Sequence, residues 1–299
     1  MKLSKNYFPV NKNTGFRMEG YYVWCGSVLK ENNTYYMFAA RWPEEKTFPD
    51  GYMTDSEIVL ATTDDLNKPF TFQKVIISKR EVGYWDAGMA HNPFIFKAND
   101  KYVLYYIGTQ NGSYEARAIG YAVADSIDGE WTRADKPIVL PPNANNPSVL
   151  QDKDGSLLLY FRDGELKVSV ARARAYDQSF TILKHDLFPK GRIEDMFVFF
   201  NNGRYEMFAE DDEGSYTGNA KAGVHFISDN GIDWIPDEHP IAYNFDIEYT
   251  DGTKRTLQRR ERPQVYIEGD NVYLFTTAKS DGPTILTGGK TWNMVQKMK

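Results

Sequence analysis

The chain has 299 residues and a single cysteine, Cys25, which excludes an intrachain disulfide framework. Histidine is almost as scarce, at 4 residues. No second histidine stands at ligand spacing from His91, so no metal and no other cofactor is expected. Long apolar runs are missing. None approaches the roughly 18 residues of a membrane span, and mean hydropathy is −0.55. An excess of positive charge is missing too. Lys and Arg number 35 against 41 Asp and Glu, a net charge of −6, which argues against nucleic acid as a partner while allowing a small anionic ligand in a local arginine pocket. The opening MKLSKNYFPVNKNTGF lacks the apolar core of a secretory signal. The expectation is a cytoplasmic protein that meets neither membrane nor nucleic acid, or a secreted one if a leader has been trimmed. Finally, no long helical period occurs anywhere.

What is present is a thirteen-residue pattern in five copies. Each reads as a polar residue, an apolar run, a charged or Asn/Gly turn, and an aromatic-rich apolar run. The copies are 26–38 (GSVLKENNTYYMF), 93–105 (PFIFKANDKYVLY), 147–159 (PSVLQDKDGSLLL), 196–208 (MFVFFNNGRYEMF) and 263–275 (PQVYIEGDNVYLF). Two strand-like runs joined by turn chemistry make a hairpin. After four of the hairpins comes a third apolar run, at 57–63, 118–125, 166–173 and 222–228. A short fourth run follows, at 70–75, 131–133, 180–183 and 234–235. Asp-rich stretches such as TTDDLNKP and SDNGIDW join the third to the fourth.

Four antiparallel strands per unit, repeated radially, describe a β-propeller. The expected fold is all-β: one five-bladed domain over residues 1–299, with blades at about 21–76, 91–134, 146–184, 194–235 and 262–296. In the fifth unit GKTWNMV, 289–295, reads as the fourth run, and the stretch around 7–10 is expected to help close the ring. A β-sandwich is the alternative, but it does not predict near-identical hairpins at one offset. Two insertions, 41–56 and 239–260, are aromatic-rich and long enough to wall a site.

The starts of the five first strands converge near the axis. The two residues preceding each copy are Trp24-Cys25, His91-Asn92, Asn145-Asn146, Glu194-Asp195 and Glu261-Arg262. Nearly every slot is polar or ionisable. Two readings fit: a hydrogen-bonded plug that satisfies the strand ends, or an active site in which carboxylates are held together away from water.

On these hairpins the whole chain resembles the five-bladed propeller glycoside hydrolases, the group of families 43, 32 and 117 and the family 130 phosphorylases. The resemblance to family 43 implies an Asp general base on the first blade, a second Asp that tunes the acid, and a Glu general acid on a later blade. The acid position matches Glu194 in RIEDMFVFF. The base position holds Cys25, and the second Asp is unmatched in MAHNPF, where Asp86 lies five residues before His91. The combination AHNP, EDMF and ERPQ is more similar to members near family 117, for which a His in proton transfer is implied.

The catalytic candidates are therefore Glu194, Asp86, Glu261 and His91. Glu194 stands between Arg192 and an apolar run that desolvates it. Glu261 has the same offset among Arg259, Arg260 and Arg262. Asp86, in YWDAGMAHNP, is the foremost candidate for the base, with Glu261 the other candidate for the second carboxylate. His91 is a proton shuttle, a substrate ligand or, as a minor option, a metal ligand. Asp163 in YFRDG reads as a turn. Arg41, Arg117, Arg162, Arg192 and Arg262 recur near strand ends or in blade-opening loops, where guanidinium forks bind anionic groups. Trp24, Trp42, Trp85 and Tyr22 offer faces to a sugar, and Asn92, Asn146 and Asp195 complete the substrate-binding set. The expected activity is exo-acting glycoside hydrolysis of an oligosaccharide, including one with an anionic sugar. A phosphate-dependent phosphorylase and a non-catalytic sugar-binding propeller are the alternatives.

Overall fold

The computed structural model describes residues 3–299. The first blade is β1 (Tyr21–Glu31), β2 (Thr34–Pro43), β3 (Glu57–Thr63) and β4 (Thr71–Ile77). The second is β5 (Met89–Ala98), β6 (Lys101–Thr109), β7 (Ala118–Ala124) and β8 (Thr132–Arg133). The third is β9 (Asn145–Gln151), β10 (Leu157–Arg162), β11 (Val168–Ala173) and β12 (Thr181–Lys184). The fourth is β13 (Ile193–Asn201), β14 (Arg204–Asp211), β15 (Ala222–Ser228) and β16 (Ile235–Tyr243). A small hairpin, β17 (Asp246–Glu248) with β18 (Lys254–Thr256), precedes the last sheet of β19 (Arg259–Glu268), β20 (Asn271–Ser280) and β21 (Lys290–Lys297). Within each sheet neighbouring strands run antiparallel. The inner strands touch in a cycle, β1 to β5, β9, β13, β19 and back to β1. The chain is a five-bladed β-propeller.

The last blade corrects one expectation. Residues 289–295 do not form a fourth strand. Residues 290–295 belong to β21, which pairs directly with β20 from Tyr273↔Lys297 to Ser280↔Lys290. The outer position is taken by the N-terminal segment through the bridges Tyr7↔Met298 and Phe16↔Asn293, with the Phe8 N–H donating to the Lys297 carbonyl at 2.9 Å. The stretch around 7–10 thus joins the first part of the chain to the last and closes the ring.

Each sheet is apolar on both faces because each packs against the next blade. Between blades two and three Met89, Tyr105 and Ile107 meet Val149, Leu159 and Phe161. Across the closure Phe16, Val23 and Met37 meet Phe275 and Val295. Near-continuous apolar runs in the second strands, such as Tyr102–Ile107 of β6, follow from burial on two sides.

The feature that positions the site is a repeated irregularity. The hairpin register slips between Trp24 and Ser27, between His91 and Phe94, between Glu194 and Phe197, and between Glu261 and Gln264. Blade three slips at the same place, with the change falling between Tyr160 and Arg162 of the partner strand. At each slip one residue is left-handed: Cys25 (φ 55°), Asn92 (49°), Asn146 (54°), Asp195 (57°) and Arg262 (54°). These are β-bulges, which bend a strand and re-aim its side chains. Asn and Asp adopt this conformation at little cost, whereas Cys25 and Arg262 are held in it against preference.

Candidate active site

The bulges divide each blade start into two roles. The left-handed residues turn to the axis and satisfy one another. The Cys25 thiol donates to Asn92 Oδ1. Asn92 Nδ2 donates to Asn146 Oδ1 at 2.6 Å, and Asn146 Nδ2 to Asp195 Oδ1 at 2.9 Å. Arg262 closes on the same carboxylate, through Nη1 to Oδ1 at 2.8 Å and through its backbone N–H to Oδ2 at 3.2 Å. Burial works against the charge on Arg262, but Asp195 more than offsets it and holds the guanidinium charged. Burial also pushes the Cys25 thiol well above its ordinary range. This is a hydrogen-bonded plug across the axis.

The preceding residues Trp24, His91, Glu194 and Glu261 face a cavity of about 340 Å³ whose floor is the plug. The fifth, Asn145, is fully buried and does not line it. That volume falls within the roughly 300–1,000 Å³ usual for small-ligand sites.

One side of the cavity is acidic and braced by cations. Glu194, with 24% of its side chain exposed, pairs with Arg162 Nη2 at 2.6 Å and accepts from Asn146 Nδ2 at 3.2 Å. Directly across the strand pair stands Glu210 of β14. Like charges facing one another across strands destabilise a sheet. Lys221 answers this with its ammonium, 2.7 Å from Glu210 and 4.0 Å from Glu194, and it also binds Asp212. Glu261 is paired with Arg259 Nε. The nearest carboxylate oxygens of Asp195, Glu210 and Glu261 all lie within 4.8 Å of one another. Burial pushes the Glu261 carboxyl up to about 7; Asp195 and Glu194 add to the rise, while Arg259 and Lys221 oppose it. Burial raises Glu210 well above the carboxylate range, Glu261 and Glu194 adding to it. Each carboxylate in this group has an Arg or Lys neighbour in place, so the cluster is already charge-compensated by the protein itself.

The other side is aromatic. His91 is stacked on Tyr52 with ring centres 4.3 Å apart, and its Nδ1 is 2.8 Å from Ser56 Oγ. Burial, together with Arg262 and Arg117, holds its imidazole well below the usual range, hence neutral. A neutral ring fits a hydrogen-bonding ligand better than an acid. Insertion 41–56 supplies Trp42, Phe48, Pro49 and Tyr52 to this wall. Insertion 239–260 supplies only Arg259 to the cavity. Arg117 lines the mouth beside Tyr114 and Tyr52, its Nε donating to Asn143 Oδ1 at 2.8 Å.

The sequence candidates thus separate. The cavity brings together Glu194, Glu261, His91, Trp24, Arg117 and Arg162, and also the upper surfaces of Asn92, Asn146, Asp195 and Arg262. Three expectations are corrected. Asp86 is fully buried away from the cavity, accepting from Tyr106 Oη at 2.8 Å and Arg133 Nη1 at 3.3 Å. Arg41 is turned aside into an ion pair with Glu57 at 2.7 Å. Trp85 is a packing residue. It lies where a Cβ on Gly120 or Gly108 would come within 2.2 or 2.6 Å of its ring, and its Nε1 donates to the Ala134 carbonyl at 3.1 Å. Asp163, read as a turn, accepts backbone N–H groups from Glu165 and Lys167 at 2.9 and 3.1 Å. Arg192, the expected neighbour of Glu194, pairs instead with Asp212 at 3.1 Å.

Sequence reasoning missed Glu210 and Lys221. The regular hairpin register, set by Asn201 opposite Arg204, would place Asp211 opposite Glu194; the bulge slips it by one and brings Glu210 there. Asp211 caps a turn instead, accepting from Tyr216 and Thr217 N–H at 2.8 Å. No local sequence signal marks Glu210; a left-handed residue recurs in the slot of Asp195 in every blade, and the bulge that goes with it is what brings Glu210 opposite Glu194.

No family model matches the sequence, and no curated protein matches it. Solved structures do match. BT0996, in its complex with RGII, is similar at 14% identity and TM-score 0.75, over 99% of this protein and 92% of that one. Zg3597, a family 117 glycoside hydrolase of the marine bacterium Zobellia galactanivorans, is similar at 16% identity and TM-score 0.72, over 98% and 89%. The β-xylosidase RS223 follows at 17% and 0.70, over 94% and 93%. At such identities the likeness carries the fold alone, a five-bladed propeller that these glycoside hydrolases share.

Proposed function

We propose that the protein is a glycoside hydrolase whose central cavity takes the end of an oligosaccharide. The observation that carries this reading is a pair of glutamates at one offset of adjacent blades, facing one cavity in unlike environments. Glu194 is ion-paired with Arg162 at 2.6 Å. Glu261 is buried, with its carboxyl pushed up to about 7. Two carboxyl groups whose surroundings separate them supply the acid and the carboxylate of glycoside hydrolysis. Glu261 is the proton donor to the leaving oxygen, and Glu194 acts as nucleophile or base. This exchanges the roles that family resemblance implies, because Glu194 is ion-paired with Arg162 and burial keeps a proton on Glu261. His91, Tyr52, Trp24 and Trp42 shape the sugar subsite.

The substrate carries an anionic group in this reading. Four arginines line the cavity, Arg117, Arg162, Arg259 and Arg262. Three are engaged by Glu194, Glu261 and Asp195. Arg117 has no ion-pair partner among the described residues and sits at the mouth, where a uronate or sulfate would meet it. Phosphate dependence is less favoured, since the three inner arginines are already occupied by carboxylates.

A panel of aryl glycosides, neutral and uronic, tested with and without phosphate on wild type, E261Q and E194Q decides the matter. Hydrolysis without phosphate that disappears in both variants is the expected result. Strict phosphate dependence would establish a phosphorylase, and sugar binding without turnover a binding protein.

A further inference from the structure

Glu210 belongs to the acidic cluster beside the cavity but does not line it. It lies behind the wall, 1% exposed. One of its oxygens, Oε1, accepts from Lys221 Nζ at 2.7 Å. The other, Oε2, is buried and has no hydrogen-bond partner among the described residues. A buried carboxylate oxygen without a donor is costly, whereas a carboxylic acid at the same place holds a proton of its own there. The surroundings favour the acid. Oxygens of Glu261 and Asp195 stand within 4.8 Å, and Glu194 is the facing residue on β13. Arg259 on β19 is committed to Glu261, and Arg262 to Asp195. Lys221, just before β15, is shared among Glu210, Glu194 and Asp212. From β16 the hydroxyl of Tyr243 is buried and without a partner among the described residues. Five cations, Arg162, Arg192, Lys221, Arg259 and Arg262, stand against these five carboxyl groups, but only the shared Lys221 reaches Glu210, where burial is deepest.

We propose that Glu210 and Glu261 act as one coupled acid, Glu210 being the buried member that keeps a proton in the pair and Glu261 the member that presents it to the cavity. The proposal rests on the reading of Glu261 as proton donor and deepens it. Two carboxyl groups at this separation cannot both ionise freely, so their protons leave in two linked steps that belong to the pair. When Glu261 gives its proton to a leaving oxygen, Glu210 is the neighbouring proton store, shielded from solvent. Glu210 is a positioning residue in this scheme. It touches no substrate and acts through Glu261.

Carbon-13 titration of the glutamate carboxyls in wild type, E261Q and E210Q tests the coupling without any substrate. The expected wild-type result is two linked steps, the upper one above neutral pH. In E261Q the upper midpoint falls by about one pH unit or more, because the facing charge is gone. Each variant retains a single step. Two independent midpoints, each unmoved by substitution of the other residue, would overturn the proposal. Should neither variant fold, the wild-type curves decide: biphasic curves with shared midpoints support the pair, and two simple curves refute it. On a hydrolysed glycoside, the alkaline limb of kcat/KM in E210Q stays close to wild type, because Gln stands in for a protonated, neutral carboxyl; a limb moved down by about one unit would mean that Glu210 is ionised while Glu261 holds the proton, and would refute the proposal. Failure to hydrolyse any glycoside counts against the proposed function alone and leaves the titration result standing.

Discussion

Two rings of residues, adjacent in sequence, behave in opposite ways. Cys25, Asn92, Asn146, Asp195 and Arg262 are left-handed, turned to the axis, and bonded to one another. Trp24, His91, Glu194 and Glu261, one position earlier, are turned to the cavity and keep part of their polar capacity for a ligand. A single bulge per blade makes the separation. The hydrogen-bonded plug is made by one residue of each pair, and the other residue is the one left to the active-site reading. The inner ring makes the floor, and the outer set faces the cavity above it.

The most forceful way to break this division is to disturb the outer set. E261Q and E194Q should each lower kcat/KM by roughly 10²–10⁴-fold with the melting temperature nearly unchanged. Retained activity in either would remove that residue from the reaction. Next in size is the inner ring. Asp195 is 5% exposed and bonded to Arg262 and Asn146. D195A should cost about 3–5 kcal/mol of stability, because it leaves a buried guanidinium unpaired. Denaturant unfolding measures this, and a loss below about 1 kcal/mol would show that the plug is not a stabilising element.

A third prediction concerns pH. The carboxyls of Glu261 and Glu210 bind their protons more tightly in the fold than the ordinary value of 4.5. The native state then holds more protons than the unfolded chain above that value. The stability they contribute is complete below about 4.5 and is lost as pH rises through about 7. Melting temperature should therefore fall between about pH 5 and about pH 8, and the fall should be shallower in E261Q, whose side chain stays neutral. A slope equal to wild type in that variant would place the titrating group elsewhere.

These predictions lean on parts of the molecule that differ in how far they could be read from the sequence. The hairpins were legible because their signals are local: a turn such as Asn202-Gly203 between apolar runs, five times over. The offset comparison found the blade starts because the fold repeats them. What it could not show was which residue of each pair faces which way, since the bulge upsets simple alternation. Glu210 was lost for the same reason. Asp86 misled because its partners, Tyr106 and Arg133, lie 20 and 47 residues away and nothing local announces them. The wall of Phe48 and Tyr52 was legible as an aromatic insertion, but its direction was set by stacking on Trp42 and His91, which only tertiary packing determines.

The smallest effect sharpens the comparison most. Cys25 occupies the slot where resemblance to family 43 implies a general base, yet the structure puts it in the inner ring, 2% exposed, with its thiol given to Asn92. His91 Nε2 is 3.7 Å from the sulfur, which invites a reading as a reactive pair. Burial argues against it: a thiol raised well above its ordinary range is not a thiolate at neutral pH. C25A should therefore remove one weak hydrogen bond and little else, costing about 1 kcal/mol of stability and leaving kcat/KM within about threefold. A loss of a hundredfold or more would put an inner-ring residue into the reaction, and the division of labour between the two rings would fail at the blade where the family pattern first expected chemistry.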